Sequence, residues 1–350
     1  MNSKISGSNV LELLALAAGV VPVPAVESLL PLIKARAVSV AVNLGIFEVL
    51  KECPLTARDL GQRCGVSPEG TGFLLRTLIW AGYLEPCGTD QFRLTKLSRS
   101  SMLISSPRSQ VGFVTWNSHA TAALLGQLED CLRQGRGLDF HHTMADPALW
   151  ASYQRAMMEG ARFAAPTLAR LVPVKKGARK LLDVAGSHGL LGASICRRHP
   201  PMRSTVLDLP SAVGHARVLA GELKINDVVE HRPGNLLIDS FGDENDVILL
   251  SNILHNLDPA AIPDVLTRAA ASASRGATIA IWEVETPDRS ARPNHGDAFA
   301  LFCWTTSTSG CFTAKQYSEW LRQAGLGDIT RKHPKSNPGQ VLVWGRTSAR

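Results

Sequence analysis

The stretch Leu181-Leu182-Asp183-Val184-Ala185-Gly186-Ser187-His188-Gly189 sets an apolar run, a carboxylate and two glycines directly before a helical segment. A short apolar run closed by glycine reads as a buried strand entering a turn. Gly186 and Gly189 let the backbone approach a ligand, and a helix N-terminus supplies unpaired N–H groups with a partial positive charge. The pattern is not the G-x-G-x-x-G of a dinucleotide site. It holds one fewer well-placed glycine, and Asp183 at the strand end would repel a pyrophosphate while pairing with a cationic amine. An amino-acid-bearing nucleoside suits such a loop better. Taken alone, the loop also reads as a plain strand-to-helix turn.

Downstream of Gly177, short β-type runs alternate with helical segments, the pattern of a parallel sheet covered on both faces. The expected strands are Lys180 to Val184, Ser204 to Leu207, Val228 to Arg232, Asp246 to Leu250 and Ala277 to Glu283. Asp328 to Lys332 and Gln340 to Trp344 follow, joined through Pro334 to Gly339 as an antiparallel hairpin. This is a doubly wound, Rossmann-like α/β sheet of seven strands. Asp208 closes the second strand, 22 residues after Gly186, where an acidic side chain in such folds accepts hydrogen bonds from ribose hydroxyls. Asp208-Leu209-Pro210-Ser211 would also serve as a helix start. The run from Asp246 to Pro259 puts His255 just beyond the carboxyl end of the fourth strand, the edge at which open α/β sheets bind ligands. An imidazole there accepts a proton near neutral pH, and Glu283, at the end of the next strand, would orient it. Singly, His255 reads as a structural side chain; its coincidence with the glycine loop and Asp208 favours a site.

Upstream, Val26 to Leu50 carries apolar residues at helical intervals around almost the whole circumference, so this helix needs a partner surface. Thr56 to Cys64, a turn at Gly65, and a helix from Ser67 through Phe73, Leu74, Leu75, Leu78 and Ile79 form a helix-turn-helix. Gly82 to Leu84, a turn at Gly88 and Gln91 to Leu94 complete the wing of a winged helix. A DNA reader would line its second helix with Lys and Arg, and Arg76 stands almost alone there. Residues 1–115 carry a net charge of +3 and residues 116–350 of +4, so charge is not focused on this module. Between about 110 and 175 the pattern is helical again, with Trp116, Trp150, Tyr153, Met157, Met158 and Phe163 as core or as the wall of a pocket for a flat ligand.

The expected domains are residues 1–115, a mostly α-helical winged-helix module, and residues 116–350, of which 116–176 form a helical linker and pocket region. With 350 residues, 45% hydrophobic and 19% charged, and a net charge of +7, a disordered or collagen-like chain is excluded. Seven cysteines, at 53, 64, 87, 131, 196, 303 and 311, are odd in number and never spaced C-x-x-C, which argues against a disulfide framework or a zinc site. Val10 to Val21, after Lys4, resembles a secretory leader only superficially, because Glu12 interrupts it; an amphipathic helix is expected. No stretch reaches the roughly 18 charge-free apolar residues that span a membrane. The expected compartment is the cytoplasm, with no nucleic-acid or membrane partner.

From the winged-helix start to the terminal hairpin, the sequence resembles the class I S-adenosylmethionine-dependent O-methyltransferases of the plant caffeate and bacterial antibiotic-tailoring type. The features that carry the resemblance are the Asp183 to Gly189 loop, Asp208-Leu209-Pro210, Gly234, Ile253-Leu254-His255, and Glu283 with Pro287. It implies a homodimer through the N-terminal domain and S-adenosylmethionine held by Asp183, Gly186, Gly189, Asp208, Leu209, Gly234, Asn235, Leu236 and Ser251. It also implies a small aromatic or heteroaromatic acceptor whose hydroxyl His255 deprotonates while Glu283 holds the imidazole. Trp150, Met157, Met158, Phe302 and Trp304 are the expected acceptor-pocket residues, and no metal is expected. The chain departs from the family pattern at Ala185 and Ser187 in the loop, at Asn235, Ser251 and Asn256, and at Cys311-Phe312, where Glu-Arg usually precedes Thr313. The second acidic partner of His255 is therefore missing. That widens the reading to N- or C-methylation, or to non-methylating chemistry on the same scaffold. A winged-helix regulator that senses S-adenosylmethionine is the reading from a different class.

Overall fold

The computed structural model describes residues 9–288 and 290–348; Lys4, ahead of the apolar Val10 stretch, lies outside them. The chain divides into two compact units, one up to Ala122 and one from Ala123.

In the first unit, helix α1 (Val10–Ala17) is capped by the Asn9 side chain, which accepts from the Glu12 N–H. Helix α2 (Val23–Asn43) does not continue to Leu50 as the periodicity suggests. Gly45 takes a left-handed conformation, φ 71°, and Ile46–Val49 forms a separate turn. The two halves of α2 have different surroundings. Ala37, Val38 and Ala41 enter a core with Phe47, Leu60, Leu75 and Leu78, whereas Leu29, Leu30, Leu32 and Ile33 remain exposed. The winged helix forms as expected. Helix α3 (Ala57–Cys64) is capped by Thr56, and α4 (Pro68–Trp80) by Ser67 with proline in its first turn. The wing has one strand more than the sequence pattern indicated: β1 (Leu55–Thr56) pairs with β3 (Gln91–Leu94), which pairs with β2 (Leu84–Cys87). On α4, the helix that would read DNA, Phe73 and Trp80 are large exposed hydrophobic side chains, and Arg76 is exposed as well.

The second unit is built on seven strands: β4 (Lys180–Val184), β5 (Arg203–Asp208), β6 (Val229–Pro233), β7 (Asn245–Ser251), β8 (Ala273–Val284), β9 (Gly327–Lys332) and β10 (Gln340–Arg346). Their spatial order is β6-β5-β4-β7-β8-β10-β9. The first five are parallel, and β10 is antiparallel to both β8 and β9. Alternate residues serve opposite faces. Leu182, Val184, Ile248, Leu250, Ile279 and Ile281 pack under α8 (Ile262–Ala271) and α10 (Ala314–Gln323). Leu181, Val247, Leu249, Ala280 and Trp282 meet α5 (Pro147–Leu171) and α6 (Leu190–Arg198). Helices α7 (Pro210–Glu222) and α9 (His295–Ser307) complete the layers. Because β4 lies where the strand order reverses, the loop after it opens at the switch point of the sheet, with the carboxyl ends of β5, β7 and β8 alongside.

That loop is conformationally costly. Ala185 and Ser187 both hold left-handed backbone, φ 54° and 49°, although neither is glycine. Gly189, φ 74°, lies so close to β5 and β6 that an added Cβ would stand 2.8 Å from Val229 Cγ1 and 3.1 Å from Val206 Cγ2. Ala185→Gly is therefore expected to stabilise the protein by about 0.5–1 kcal/mol. Gly189→Ala combines strain with overpacking and should cost about 1–3 kcal/mol. Urea-denaturation midpoints measure both.

Candidate active site

Glu283 ends β8 with a carboxylate that is 0% exposed. Its Oε1 accepts from the Ile253 and Leu254 N–H groups at 2.8 and 2.7 Å, and its Oε2 lies 2.6 Å from His255 Nδ1. One carboxylate thus fixes both the turn after β7 and the imidazole on it. With Nδ1–H donated to Glu283, the neutral ring presents Nε2 as its free base nitrogen. Burial disfavours the imidazolium, but the Glu283 charge and hydrogen bond outweigh burial and raise His255 above its ordinary value. Phe299 stands edge-on to the imidazole, ring centroids 5.7 Å apart, and Phe302 packs on Phe299 at 6.0 Å.

Three strands from β8, Asp208 closes β5. Its Oδ2 accepts from the Ser187 N–H at 2.8 Å and its Oδ1 from the Leu209 N–H at 2.7 Å. His231 Nε2 donates to the Ser187 carbonyl at 3.0 Å, so the strained Ser187 peptide is pinned from both sides. His188 accepts from the Leu190 N–H at 3.0 Å and bonds the Met157 backbone; burial holds it neutral, down to about 3. Asp208 is half-buried, and burial pushes it up to about 6 against its two N–H donors.

Asp183 is only 1% exposed. The expectation that it meets a ligand amine directly gives way to a place beneath the loop. An added Cβ on Gly186 would fall 2.3 Å from its Cγ, and its Oδ2 accepts from the Gly192 N–H at 3.2 Å. Gly234 N–H donates to the Asp208 carbonyl at 2.8 Å, joining the ends of β5 and β6. Asn235 turns its Oδ1 to the Leu237 N–H, 2.9 Å away, which leaves its amide N–H groups as the donors it can offer. The Leu236 side chain packs on the core, and Ser251 is buried beside Asn252.

Among the expected pocket residues, Met157, Phe302 and Trp304 are half-buried. Trp150 and Met158, 4% and 1% exposed, brace the wall rather than line it, and the Trp150 indole donates to the Met144 carbonyl at 2.9 Å. Phe299 escaped the sequence reading, although its i, i+3 spacing to Phe302 was a usable signal. Next to Cys311, which takes the place of the missing second acid, Phe312 packs edge-on to Trp320, centroids 4.9 Å apart. Cys311 sits beside Cys303, and that neighbouring thiol, with further help from His255, lowers Cys311 despite its burial. Among the described residues no three His, Cys, Asp or Glu side chains cluster as metal ligands, and no helix is long and apolar enough to cross a membrane.

Residues 118–327 match the O-methyltransferase domain family, and residues 26–103 the O-methyltransferase dimerisation domain. The chain belongs to the O-methyltransferase family. It is 25% identical over 305 residues to the 3-hydroxy-5-methyl-1-naphthoate 3-O-methyltransferase of Streptomyces sahachiroi, covering 85% of this chain and 87% of that one. Over 240 residues it is 30% identical to the aclacinomycin 10-hydroxylase of Streptomyces purpurascens, covering 64% and 63%. Its fold matches that of human N-acetylserotonin methyltransferase, crystallised with S-adenosylmethionine, with a TM-score of 0.80 at 20% identity over 99% of this chain and 100% of that one. The protein is an S-adenosylmethionine-dependent methyltransferase.

The residues present suit that cofactor. Asp208 offers a pinned carboxylate at the sheet rim, and the Ser187 hydroxyl is buried without a hydrogen-bond partner. Beneath them Asp183 carries one carboxylate oxygen likewise unpartnered, and burial, opposed by the Gly192 N–H and reinforced by Asp208, pushes it up to about 7. An acid whose folded value lies above its unfolded one binds more protons in the native state, so stability falls as pH rises between about 4 and 7. Asp183→Asn keeps an acceptor for Gly192 and removes the charge. It should flatten that fall and raise stability at pH 8 by up to about 4 kcal/mol, read from urea midpoints across pH.

Proposed function

We propose that the enzyme methylates a hydroxyl on a small aromatic or heteroaromatic acceptor in specialised metabolism, with His255 as the general base. The observation that carries this reading is the Glu283–His255 pair, 2.6 Å apart, on the same sheet edge as the Asp208-pinned loop. When bound, S-adenosylmethionine supplies a methyl group on a sulfonium, an electrophile that needs no further activation. Asp208 and the loop of Gly186 to Gly189 would hold it, with Leu209, Gly234 and Asn235 bordering the site. The chain's own work is then alignment and proton removal. His255 takes the acceptor's proton at Nε2, and Glu283 stabilises the imidazolium that forms. Phe299 and Phe302 give a flat acceptor an apolar wall beside the base. The naphthoate relative is a 3-O-methyltransferase, which supports oxygen as the target.

The missing second acid supports a second reading, in which a lone Glu283–His255 pair serves an amine or activated-carbon acceptor, or chemistry other than methyl transfer. The hydroxylase relative carries such a name on the same family background.

The exposed Leu29, Leu30, Leu32 and Ile33 of α2, on a segment that matches the dimerisation family, support a homodimer in which a second copy covers this apolar face. The working compartment in this reading is the cytoplasm, where seven unpaired cysteines remain thiols.

His255→Ala is expected to lower methyl transfer to a phenolic acceptor by about 10²–10⁴-fold while leaving S-adenosylhomocysteine affinity within twofold by calorimetry; unchanged turnover would shift the reading to N- or C-transfer. Because His255 is raised, kcat/KM should climb with pH through a midpoint above the usual histidine range. Glu283→Gln should move that midpoint down and cost at least about tenfold in rate. Light scattering should give twice 37.6 kDa for the wild type, and Leu29→Glu with Leu32→Glu should yield monomer; a monomeric wild type overturns the dimer.

A further inference from the structure

The turn after β6 is gripped by a single side chain of α8. Arg268, in the last turn of that helix, donates from Nη1 to the Leu236 and Leu237 carbonyls, each at 2.8 Å, and from Nη2 to the Asp239 carbonyl. Its guanidinium carbon stands 4.8 Å from the centroid of the Phe241 ring, and that ring is buried in the core. One planar fork thus meets three carbonyls and an aromatic face, a combination that a lysine ammonium does not reproduce. Asp264, one turn back, is 4.0 Å away and largely exposed, so the guanidinium is committed to the turn rather than to an ion pair.

Apolar packing alone would hold this turn weakly. Leu236 packs on the core, but Leu237 and Ile238 are exposed. Hydrogen bonds supply the rest. Asp239 Oδ2 accepts from the Asn235 N–H at 2.6 Å, and the Asn235 carbonyl accepts from the Ile238 and Asp239 N–H groups at 3.1 and 2.8 Å. The Asn235 side chain is fixed through one peptide. Its Oδ1 accepts from the Leu237 N–H at 2.9 Å, and the carbonyl of that same peptide, on Leu236, is one of the three that Arg268 holds. Because a peptide is planar, gripping its carbonyl sets the direction of its N–H, and donation into the carbonyl strengthens that N–H as a donor. Arg268 therefore orients the Asn235 amide at one remove.

The turn starts at the cofactor rim. Asp208 pairs with Pro233 across the parallel β5–β6 ladder, the Gly234 N–H donates to the Asp208 carbonyl at 2.8 Å, and a Cβ added to Gly234 would stand 2.6 Å from Leu207 Cδ1. Outward from the glycine loop, the sheet runs β4, β5, β6. A cofactor laid along that rim, with its amino-acid tail at the loop after β4 and its ribose at Asp208, brings its base to the end of β6. We propose that Arg268 is a positioning residue for cofactor binding, acting from α8 through the Leu236–Leu237 peptide to hold the Asn235 amide against the base. This rests on the cofactor placement proposed above and not on the identity of the acceptor. With its Oδ1 bound to the Leu237 N–H, Asn235 turns its amide N–H groups toward the ligand, and the ring nitrogens of adenine are acceptors.

Calorimetry with S-adenosylhomocysteine on the full-length enzyme reads the effect apart from turnover. Asn235→Ala should weaken binding about tenfold and Arg268→Met at least about fivefold, the range for one lost hydrogen bond. In the Asn235→Ala background, Arg268→Met should cost less than about twofold more, because the group it positions is gone. Arg268→Lys keeps the charge without the fork, and it decides the matter if Arg268→Met does not fold. It should lose at least about threefold with Asn235 present and less than about twofold in the Asn235→Ala background. In the ligand-free Arg268 variants the Leu237 amide should exchange with solvent about fivefold faster or more, with the amides of β7 and β8 unchanged. The proposal is overturned if Asn235→Ala or the folded Arg268 variants bind as the wild type does, if the Arg268 loss is undiminished in the Asn235→Ala background, or if Leu237 exchange is unaltered. Asp208→Ala reports separately on the placement: undiminished affinity there counts against the cofactor lying on this rim.

Discussion

A carboxylate with no exposure at all is tolerable only if its charge is met by donors, and Glu283 has three. Two are backbone N–H groups from the turn after β7, and the third is the His255 ring. Because β7 and β8 are parallel neighbours, the strand pairing that puts Ser251 beside Trp282 also delivers Glu283 to that turn. The site is thereby coupled to sheet register: a slip of one residue would turn Glu283 to the opposite face and leave the turn, the imidazole and the buried charge unsatisfied together. The same bond selects the tautomer that leaves Nε2 free, so fold and chemistry depend on a single interaction.

The glycine loop shows the opposite economy, in which the folded chain tolerates strain and repulsion that a ligand would relieve. Ala185 and Ser187 keep the left-handed backbone although neither is glycine, and Asp208 and His231 secure the Ser187 peptide by its N–H and its carbonyl. Underneath, burial raises both Asp183 and Asp208, and the Asp208 charge adds to the rise of Asp183. A positively charged ligand bearing hydroxyl donors would stabilise both carboxylates.

Much of this architecture was legible in the sequence because it follows from local pattern. The strand runs at 180–184, 246–250 and 340–344 are apolar on both faces and bounded by turn residues, which left little room for misplacement. Thr56 and Ser67 announced their helices as caps. The features that were missed arise from contacts between segments far apart in sequence. Gly45 breaks a run whose periodicity continues past it, and the two-residue β1 exists only because β3 lies beside it. Sequence places the Asp183 carboxylate at a strand end but does not indicate on which side the following loop folds over it.

The Cys311-Phe312 pair bears on which chemistry this scaffold favours. Phe312 joins an aromatic cluster with Tyr317 and Trp320, so the place of a charged residue has become core. Nearby Glu285 is engaged elsewhere, by His333 at 2.6 Å and the Ala314 N–H at 3.0 Å. Among the described residues, Glu283 is the carboxylate that raises His255, with a thiol, Cys311, at its flank. One short buried carboxylate contact still suffices to raise the ring above its ordinary value, which is the direction a base for a phenol requires. Phe299 and Phe302 form an apolar flank to that base, and the carboxylate that raises it lies behind the ring.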